Sequence, residues 1–383
     1  MLIISYDAIG DSEFEKLSGY PVFASFLKQS AVFRDVSTVF LSNTYPVHTS
    51  VVTGALPEVH GVTSNTAAFP SADPLWNCNE EIIKAKTIWQ LASEKGLKTA
   101  AVLWPVTAFS KTINYNVPEV RARPGKNQVL TSLKAGSAFL QLKLFLRHRA
   151  LLNGIKQPNL DNFSAACMAD ILREKKPDIC LVHLTAYDAI CHDSGPRSEA
   201  LETAYLAMDK NLEILLDAYS DGDIILFSDH SQVNVHTVLD PNAELVKAGL
   251  MNKNGGVYFP GESGCFFELC GGAAFFHAGK LNADQIGEVK LNTGRGEGFC
   301  RFLTPAEMRE SGLGGAAFGF CAKEGFCYEF SGTEKKGNHG YPLDMSCYTV
   351  FYMVKGCGLE SGKVTKGGSL LDIAPLVIRH LGL

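Results

Sequence analysis

A chain of 383 residues can bury a full hydrophobic core, and we expect one large domain that carries a smaller insertion. Hydrophobic and charged contents of 46% and 20% are typical of a soluble globular protein. The formal net charge of −5 excludes a general attraction to nucleic-acid polymers or anionic membranes, and the sequence shows no run of Lys and Arg that would override it. The expected partner is therefore a small molecule, while oligomeric state is left undefined.

The cysteines and the chain start predict a cytoplasmic protein. Eleven Cys is an odd number, and none of them forms a Cys-x-x-Cys pair, so neither a disulfide framework nor a zinc knuckle is indicated. A strand that starts at Leu2 leaves no room for a signal peptide. No apolar run reaches the roughly 18–20 residues that a membrane span needs. We expect a reducing compartment and no membrane partner.

Helices and strands alternate along most of the chain. The apolar patterns predict strands at Leu2–Asp7, Ala31–Val39, Thr99–Val106, Asp178–Leu184, Asp223–Ser228 and Ser346–Val354. They predict helices at Asp11–Ser30, Thr44–Thr53, Lys86–Lys95, Asn159–Lys175, Ser198–Tyr219 and Asp372–Leu381. Residues 127–152 alternate apolar and basic positions at helical spacing and predict a surface helix rather than a membrane binder. This alternation favours an α/β fold with a doubly wound, mainly parallel sheet.

The composition and the hydrophobic pattern of the sequence change after Ser231. Residues 233–336 hold many glycines, short apolar pieces such as Cys265–Cys270 and Ala273–His277, and one short helix near Pro305–Ser311. We interpret this stretch as a small α+β cap. The catalytic core is then discontinuous and consists of residues 1–232 and 337–383.

Three predicted strands each lead to residues that hold metals well. The first ends at Asp7, the second leads to Asp188 with His192 four residues later, and the third ends at the pair Asp229 and His230. Carboxylate and imidazole groups together suit zinc or a similar divalent ion. Because strand ends converge at one edge of a parallel sheet, we expect a site for more than one metal there.

Two further residues complete the candidate set. His339 lies in the small-residue loop Gly-Asn-His-Gly-Tyr, from which a metal-ligating side chain can reach into a cleft. Thr44 heads a predicted helix, where backbone N–H groups and the helix dipole favour an anion. A metal-bound hydroxyl at this position would ionise readily and could attack phosphorus.

Ordinary structural roles compete with these assignments. Thr44 alone is more often a helix N-cap than a nucleophile. Asp7 could be a turn residue, and Asp188 with His192 could be a turn beside a surface histidine. His183 is in mid-strand and is predicted to be a core residue. The remaining histidines that we assign to structural or surface positions are His60, His148, His236, His277 and His380.

The motifs in combination resemble the alkaline phosphatase superfamily, in particular its type I phosphodiesterase/nucleotide pyrophosphatase branch. The similar segments span nearly the whole chain and are the opening strand to Asp7, Thr44-Tyr-Pro-Val-His-Thr-Ser-Val-Val-Thr-Gly, Pro57-Glu-Val-His-Gly-Val, Ile88-Trp-Gln-Leu-Ala, Leu103-Trp-Pro, Tyr187-Asp-x-x-x-His, Ser228-Asp-His, His339-Gly-Tyr and Asp372-Ile-Ala-Pro.

The resemblance implies two zinc ions, with manganese as the alternative metal. It implies one ion held by Asp7, Asp229, His230 and the Thr44 oxygen, and a second held by Asp188, His192 and His339. It further implies that Thr44 attacks phosphorus in line and forms a phosphothreonine, which is then hydrolysed.

One position departs from the pattern and leaves the substrate open. Val47 stands where the resemblance implies an Asn that donates to the phosphoryl oxygen, so Asn43, Asn65 or a backbone N–H must replace it. Tyr45 and Trp76 are candidate contacts for a second group on a diester. The alternatives are a phosphomonoesterase or phosphonate hydrolase at the same site, or an inactive metal-binding protein. A sulfatase is disfavoured because no Cys/Ser-x-Pro-x-Arg segment is present.

Overall fold

The computed structural model describes residues 1–71, 74–330, 332–345 and 348–383. The α-helices in these residues are α1 Phe14–Leu17, α2 Pro21–Lys28, α3 Thr44–Thr53, α4 Pro57–His60, α5 Ile88–Glu94, α6 Gln128–Ala135, α7 Ala138–His148, α8 Asn159–Lys175, α9 Ala186–Ser194, α10 Glu202–Ala218, α11 Pro241–Lys247, α12 Ala283–Gly294, α13 Pro305–Glu310 and α14 Ile373–Leu381. Short 3-10 helices lie at Asp11–Glu13, Glu80–Ile82, Arg149–Leu151, Glu199–Leu201 and Leu370–Asp372.

The strands are β1 Leu2–Tyr6, β2 Ala31–Val36, β3 Thr99–Val102, β4 Tyr115–Val117, β5 Ile179–Leu184, β6 Ile224–Ser228, β7 Val233–Leu239, β8 Met251–Asn254, β9 Val257–Pro260, β10 Phe266–Leu269, β11 Ala273–His277, β12 Phe299–Phe302, β13 Phe318–Ala322, β14 Gly325–Tyr328, β15 Gly337–Asn338, β16 Val350–Lys355 and β17 Val364–Lys366.

A central sheet of eight strands runs in the order β17-β2-β16-β6-β1-β5-β3-β4. Its pairs are parallel except for the two that β16 makes with β2 and β6. The prediction of an α/β fold with a mainly parallel sheet is therefore confirmed.

Strands β1, β5 and β6 are buried along their whole length, as their continuous apolar runs require. One core cluster joins alternate side chains of these strands to α8 and α10. A second cluster joins the other side chains to α3, α5 and α14 on the opposite face. Helices thus cover both faces of the sheet with apolar side chains. A cluster of polar residues can therefore form only at the ends of the strands.

The predicted cap region contains smaller sheets. Strands β10, β11, β13 and β12 form an antiparallel sheet, β8 pairs with β9, and β7 lies between β14 and β15. The loop residues Phe40 and Leu41 of the core pack with Cys270 and Phe275 of this region. The division into domains at residues 233–336 stays a prediction.

Two predicted helices are wrong in extent because glycine and proline interrupt them. The helix expected over residues 11–30 is broken into α1 and α2 at Gly19, and Pro21 begins the second piece. The surface helix expected over residues 127–152 is broken into α6 and α7 at Gly136. At Gly136, a Cβ atom would come within 2.5 Å of the Asn116 carbonyl oxygen, so the break also permits close packing.

Several predicted boundaries shift by a few residues. The third strand ends at Val102 rather than Val106, because Leu103 adopts a φ of 50° that no strand residue uses. Residues 346 and 347, where the last predicted strand begins, lie outside the described residues, and β16 starts at Val350. None of the helices in the described part of the chain is long and apolar enough to cross a membrane.

Candidate metal centre and active site

The candidate site lies at the carboxyl ends of the three central strands. Asp7 follows β1, and Asp229 with His230 follows β6. The prediction that a strand presents Asp188 is corrected, because Asp188 lies in the first turn of α9, which begins after β5. His192 comes one turn later on the same helix, so its side chain faces the same side as that of Asp188.

Asp7, Asp229 and His230 form the first group, and their potential ligand atoms all lie within 4.8 Å of one another. Nε2 of His230 is 3.4 Å from Oδ1 of Asp7 and 3.3 Å from Oδ2 of Asp229. The other oxygen of Asp229 accepts the backbone N–H groups of Ala8 and His230, both at 2.9 Å. These bonds fix the carboxylate so that Oδ2 faces the group.

Asp188, His230 and His339 form the second group, again within 4.8 Å. His192 adjoins it, with Nε2 3.4 Å from Oδ1 of Asp188. Nδ1 of His192 donates to the Gly337 carbonyl oxygen at 2.7 Å, which leaves Nε2 to face Asp188. The structure therefore brings six of the seven predicted ligand residues together, and His230 adjoins both groups.

Thr44 lies between these groups as the first residue of α3. Its Oγ1 is 3.4 Å from Nε2 of His230. The N-cap of α3 is Asn43 rather than Thr44, so the alternative that Thr44 is an N-cap is wrong. The Asn43 side chain caps no helix N–H either, since its Oδ1 is paired with Nδ1 of His339 at 2.8 Å. The Thr44 hydroxyl thus faces the His230 imidazole, which adjoins both groups.

The electrostatics of the first group fit a cation. Burial, together with the nearby carboxylates of Asp229 and Asp188, raises the pKa of Asp7 well above its ordinary value. Burial also raises the pKa of Asp229. Oδ1 of Asp7 and Oδ2 of Asp229 are buried and have no hydrogen-bond partner among the described residues. Such orphaned oxygens are costly to bury, and a divalent ion would satisfy both.

The imidazoles of the second group are also suited to bind a divalent cation. Burial, with the neighbouring rings of His230 and His192, lowers the pKa of His339 well below its ordinary value. Burial also lowers the pKa of His192. Neutral imidazoles keep a lone pair for a metal ion. The donor set of carboxylates and neutral imidazoles therefore fits zinc or a similar divalent ion.

A cavity of about 450 Å³ opens over these groups. Its wall includes the four predicted substrate contacts, Asn43, Tyr45, Asn65 and Trp76. The rings of Tyr45 and Trp76 meet edge to face with centroids 5.6 Å apart. The charged groups on the wall, apart from the predicted metal ligands, are Glu119, Arg121, Glu329 and Lys335. The volume lies in the range of small-molecule sites.

The side-chain amides of Asn65 and Asn43, near Thr44, are each fixed by a hydrogen bond to the amide oxygen. Oδ1 of Asn65 accepts the Tyr45 N–H at 2.8 Å, while Oδ1 of Asn43 pairs with His339. The NH₂ groups of both side chains therefore remain as donors at the cavity wall. Because Pro46 has no N–H and the Tyr45 N–H is used by Asn65, the start of α3 offers fewer backbone donors than the sequence suggested.

Val47 is not placed where a donor could act. Its side chain is fully buried in the core cluster between α3 and the central sheet, and it does not line the cavity. Val47 therefore supplies no donor to the site, and the replacement donor that the sequence predicted must come from another residue. Asn65 and Asn43 are better placed to contact a bound anion.

Sequence reasoning missed two buried histidines that support the site. Nδ1 of His48 donates to the Thr44 carbonyl oxygen at 2.8 Å, and Nε2 accepts from the Ser5 hydroxyl at 2.8 Å. His183, predicted to be a core residue, lies 3.1 Å from Oδ2 of Asp7 through Nε2. The position of His48, one turn after Thr44, was the signal in the sequence that could have identified it. The contact of His183 with Asp7 depends on the register of β1 and β5, which the sequence does not reveal.

Burial opposes the charge on His183, but the hydrogen bond to Asp7 and the nearby carboxylate of Glu119 outweigh it and raise the pKa of His183 well above its ordinary value. His183 thereby supplies positive charge beside Asp7 and orients its carboxylate.

The other histidines lie away from the cavity. Each has a partner of its own: His60 with Ser50, His148 with Asp170, His236 with Thr237, His277 with Glu268 and His380 with Asp223. Asp223 and His380 also lie near Cys357 at the opposite edge of the sheet. There the carboxylate is already bonded to His380 and to the Cys357 N–H, and nothing indicates a metal.

Comparison with known proteins defines the family. Residues 1–274 match the family model described as Type I phosphodiesterase / nucleotide pyrophosphatase. The chain belongs to this family, as the sequence motifs predicted.

Curated relatives match over part of their length. The human ectonucleotide pyrophosphatase/phosphodiesterase family member 1 is 23% identical over 222 residues, which cover 55% of this chain and 21% of that protein. The human bis(5'-adenosyl)-triphosphatase ENPP4 is 28% identical over 118 residues, which cover 28% of this chain and 25% of the relative. The matched regions thus span only about a fifth to a quarter of these relatives.

Solved structures share the fold over the whole chain. Murine ectonucleotide pyrophosphatase/phosphodiesterase 5 superimposes with a TM-score of 0.73 at 15% identity, covering 100% of this chain and 95% of that one. That structure is described as an inactive Thr-to-Ala variant in complex with AMP. The human protein of the same name gives a TM-score of 0.72 at 16% identity.

Proposed function

We propose that this chain hydrolyses a phosphodiester or pyrophosphate bond in a small molecule, with Thr44 as the nucleophile and two divalent metal ions as cofactors. Zinc is the proposed ion, and manganese is the alternative. Asp7, Asp229 and His230 would hold one ion beside Thr44, and Asp188, His192 and His339 would hold the other.

The observation that carries this proposal is the position of Thr44. Its hydroxyl oxygen lies 3.4 Å from Nε2 of His230, and the same nitrogen lies 3.4 Å from Oδ1 of Asp7 and 3.3 Å from Oδ2 of Asp229. A threonine that merely packs or caps a helix has no reason to face an imidazole in this cluster of buried carboxylates. A nucleophilic hydroxyl that must be ionised at a cationic site has every reason to do so.

The chain's own residues orient the reaction. A divalent ion bound beside Thr44 would lower the pKa of its hydroxyl and neutralise charge on a phosphoryl group. His48 fixes the first turn of α3 by its bond to the Thr44 carbonyl, so the hydroxyl keeps one direction. The amide groups of Asn65 and Asn43 can donate to phosphoryl oxygens as negative charge develops there.

The cavity wall favours a substrate with a group beyond the phosphate. Trp76 gives an apolar, aromatic surface that the buried Tyr45 supports from behind, and Lys335 and Arg121 place positive charge on a wall that also carries Glu119 and Glu329. A nucleoside would pack on the aromatic rings, and additional phosphates would be drawn to the cations. The relative named bis(5'-adenosyl)-triphosphatase and the neighbour in complex with AMP support a nucleotide, and that neighbour's inactive Thr-to-Ala variant supports a threonine nucleophile.

The decisive experiment is a substrate panel with zinc or with manganese. It compares p-nitrophenyl phosphate, p-nitrophenyl phenylphosphonate and a nucleoside p-nitrophenyl phosphodiester for wild type and Thr44→Ala. We expect kcat/KM to be highest for the nucleoside diester and to fall to background in Thr44→Ala. A preference for the monoester or the phosphonate would replace the proposal by that alternative. Folded, metal-loaded protein that cleaves none of them would indicate the inactive metal-binding alternative.

A further inference from the structure

The stretch between Glu119 and Asp161, here called the basic segment, differs in charge from the rest of the chain. Residues 120–160 contain eight Lys or Arg and no Asp or Glu, although the whole chain carries a formal net charge of −5. The segment includes α6, α7 and the 3-10 helix at Arg149–Leu151. The overall charge therefore conceals a strongly positive region.

The same segment exposes large apolar side chains. The most exposed of them are Val129, Leu130, Phe139, Leu142, Leu146 and Ile155. Phe139 is 91% exposed, which leaves nearly the whole ring in water. A soluble protein rarely leaves so much apolar surface in one short stretch without a partner for it.

Helix α7 shows how the exposed residues are arranged. Phe139, Leu142 and Leu146 are spaced by three and four residues, so they lie on one face of the helix. Gln141 and Leu144 are buried on another face, and Leu144 belongs to the core cluster. One side of α7 is thus anchored to the sheet, and an apolar stripe points outward.

Exposed cations accompany this stripe. Within the part of the chain that the structure describes, five of them make no ion pair: Arg123, Lys126, Lys134, Arg149 and Lys156. Lys143 and Arg147, in contrast, pair with Glu174 and Asp170 of α8 and so hold α7 against the core. The five cations are free to meet an external anionic surface.

We propose that the basic segment docks this protein peripherally onto an anionic lipid bilayer. An outward apolar stripe can enter the boundary between headgroups and acyl chains, while Lys and Arg beside it meet anionic headgroups. The complementarity of charge selects this partner, because a second copy of the same segment would bring positive charge against positive charge. This proposal replaces two expectations from the sequence: that residues 127–152 form a surface helix that binds no membrane, and that the protein has no membrane partner.

Sedimentation with lipid vesicles tests the proposal on the full chain. We expect wild type to bind vesicles that contain phosphatidylglycerol and to bind vesicles of pure phosphatidylcholine at least about tenfold more weakly. Binding should weaken as salt is added, because the headgroup attraction is screened. Failure to bind the anionic vesicles at low salt would overturn the proposal.

Two variants separate the apolar and the charged contributions. Phe139→Ser with Leu146→Ser, and Lys134→Glu with Arg149→Glu, should each reduce binding to anionic vesicles by about tenfold or more. All four side chains are exposed, so the melting temperature should stay close to that of wild type. The matched control is Phe259→Ser with Val364→Ser, which removes exposed apolar groups elsewhere and should leave binding unchanged.

Light scattering in solution distinguishes the other possible occupants. If wild type is a dimer that Phe139→Ser with Leu146→Ser converts to a monomer, the stripe is an interface between copies and the proposal is wrong. If the charge reversals leave vesicle binding intact, the contact is not with anionic lipid and the proposal is equally wrong.

Discussion

Oδ1 of Asn43 lies 2.8 Å from Nδ1 of His339, although 296 positions separate them in sequence. With the imidazole neutral, a proton on Nδ1 is donated to Asn43, and the lone pair remains on Nε2, 4.0 Å from Oδ1 of Asp188. The residue before the proposed nucleophile therefore sets the orientation of a proposed ligand from the far end of the chain.

Asn43→Ala should weaken zinc binding about tenfold to a hundredfold, because His339 loses the acceptor that fixes its ring. Asn43→Asp is the matched variant, since it keeps an oxygen at this position and should retain affinity. Zinc titration against a chelator measures both. Equal affinities in Asn43→Ala and wild type would show that the contact has no effect on the metal.

The metal content should be close to two divalent ions per chain. Asp229→Ala and Asp188→Ala remove a carboxylate from different groups, so each should lower the content towards one ion. Asp217→Ala, an exposed position on α10, serves as the control and should keep both ions. Elemental analysis after incubation with zinc provides the count. Folded wild-type protein that holds only traces of metal would refute the two-ion centre.

Thr44→Ala should reduce turnover at least about a thousandfold while leaving the melting temperature nearly unchanged. Small loss of stability is expected because Thr44 caps no helix N–H. Thr44→Ser keeps a hydroxyl and should retain measurable activity. Thr53→Ala removes a different hydroxyl from α3, one that donates to the Thr49 carbonyl, and should retain full turnover. Wild-type turnover in Thr44→Ala would mean that water attacks directly.

His60 should make the folded state sensitive to acid. Burial lowers its pKa from 6.5 to about 4. Between these values the unfolded chain takes up a proton and the folded chain does not, so stability is present above about pH 6.5 and is lost as pH falls towards 4. The loss amounts to roughly 3 kcal/mol at about 1.4 kcal/mol for each pKa unit.

Urea denaturation at a series of pH values checks this effect with His60→Asn. The variant should be less stable at neutral pH, because the ring bonds to Ser50 and Val62 are lost. The difference from wild type should then shrink as the pH falls, since only wild type loses the contribution of His60. His236→Asn, at an exposed position, should follow wild type throughout. Parallel curves for wild type and His60→Asn would exclude the assignment.

We propose that the protein resides in the reducing cytoplasm, as the odd number of cysteines and their scattered positions predict. Thiol titration of denatured protein taken directly from its host should find most of the eleven Cys reduced. Several disulfides in such a sample would contradict the proposal.

The central sheet and the positions of the strand-end residues were predictable, since long buried runs such as Ile224–Ser228 leave little ambiguity between strand and helix. The contacts of His183 were not. They arise from the parallel register that sets Ser5 opposite His183, and a single sequence does not reveal register between distant strands.

The surface of α7 shows a second feature that the sequence alone does not predict. Its apolar residues occur on two faces, and helical spacing alone does not say which of them packs on the sheet. Only the structure shows that Leu144 is inside and Phe139 is outside. The alternation of apolar and basic positions over residues 127–152 was visible in the sequence, but it does not show which apolar side chains are exposed.

The place of β16 in the central sheet bears on how the chain is synthesised. This strand, Val350–Lys355, lies between β2 and β6, and the other neighbour of β2 is β17, which is later still. On the ribosome, β2 therefore emerges long before β16 and β17, which are its two partners in the sheet. A nascent fragment of residues 1–274, the part that matches the family, would leave that edge unpaired and lack His339. Residues 275–383 thus complete both the sheet and the proposed catalytic centre.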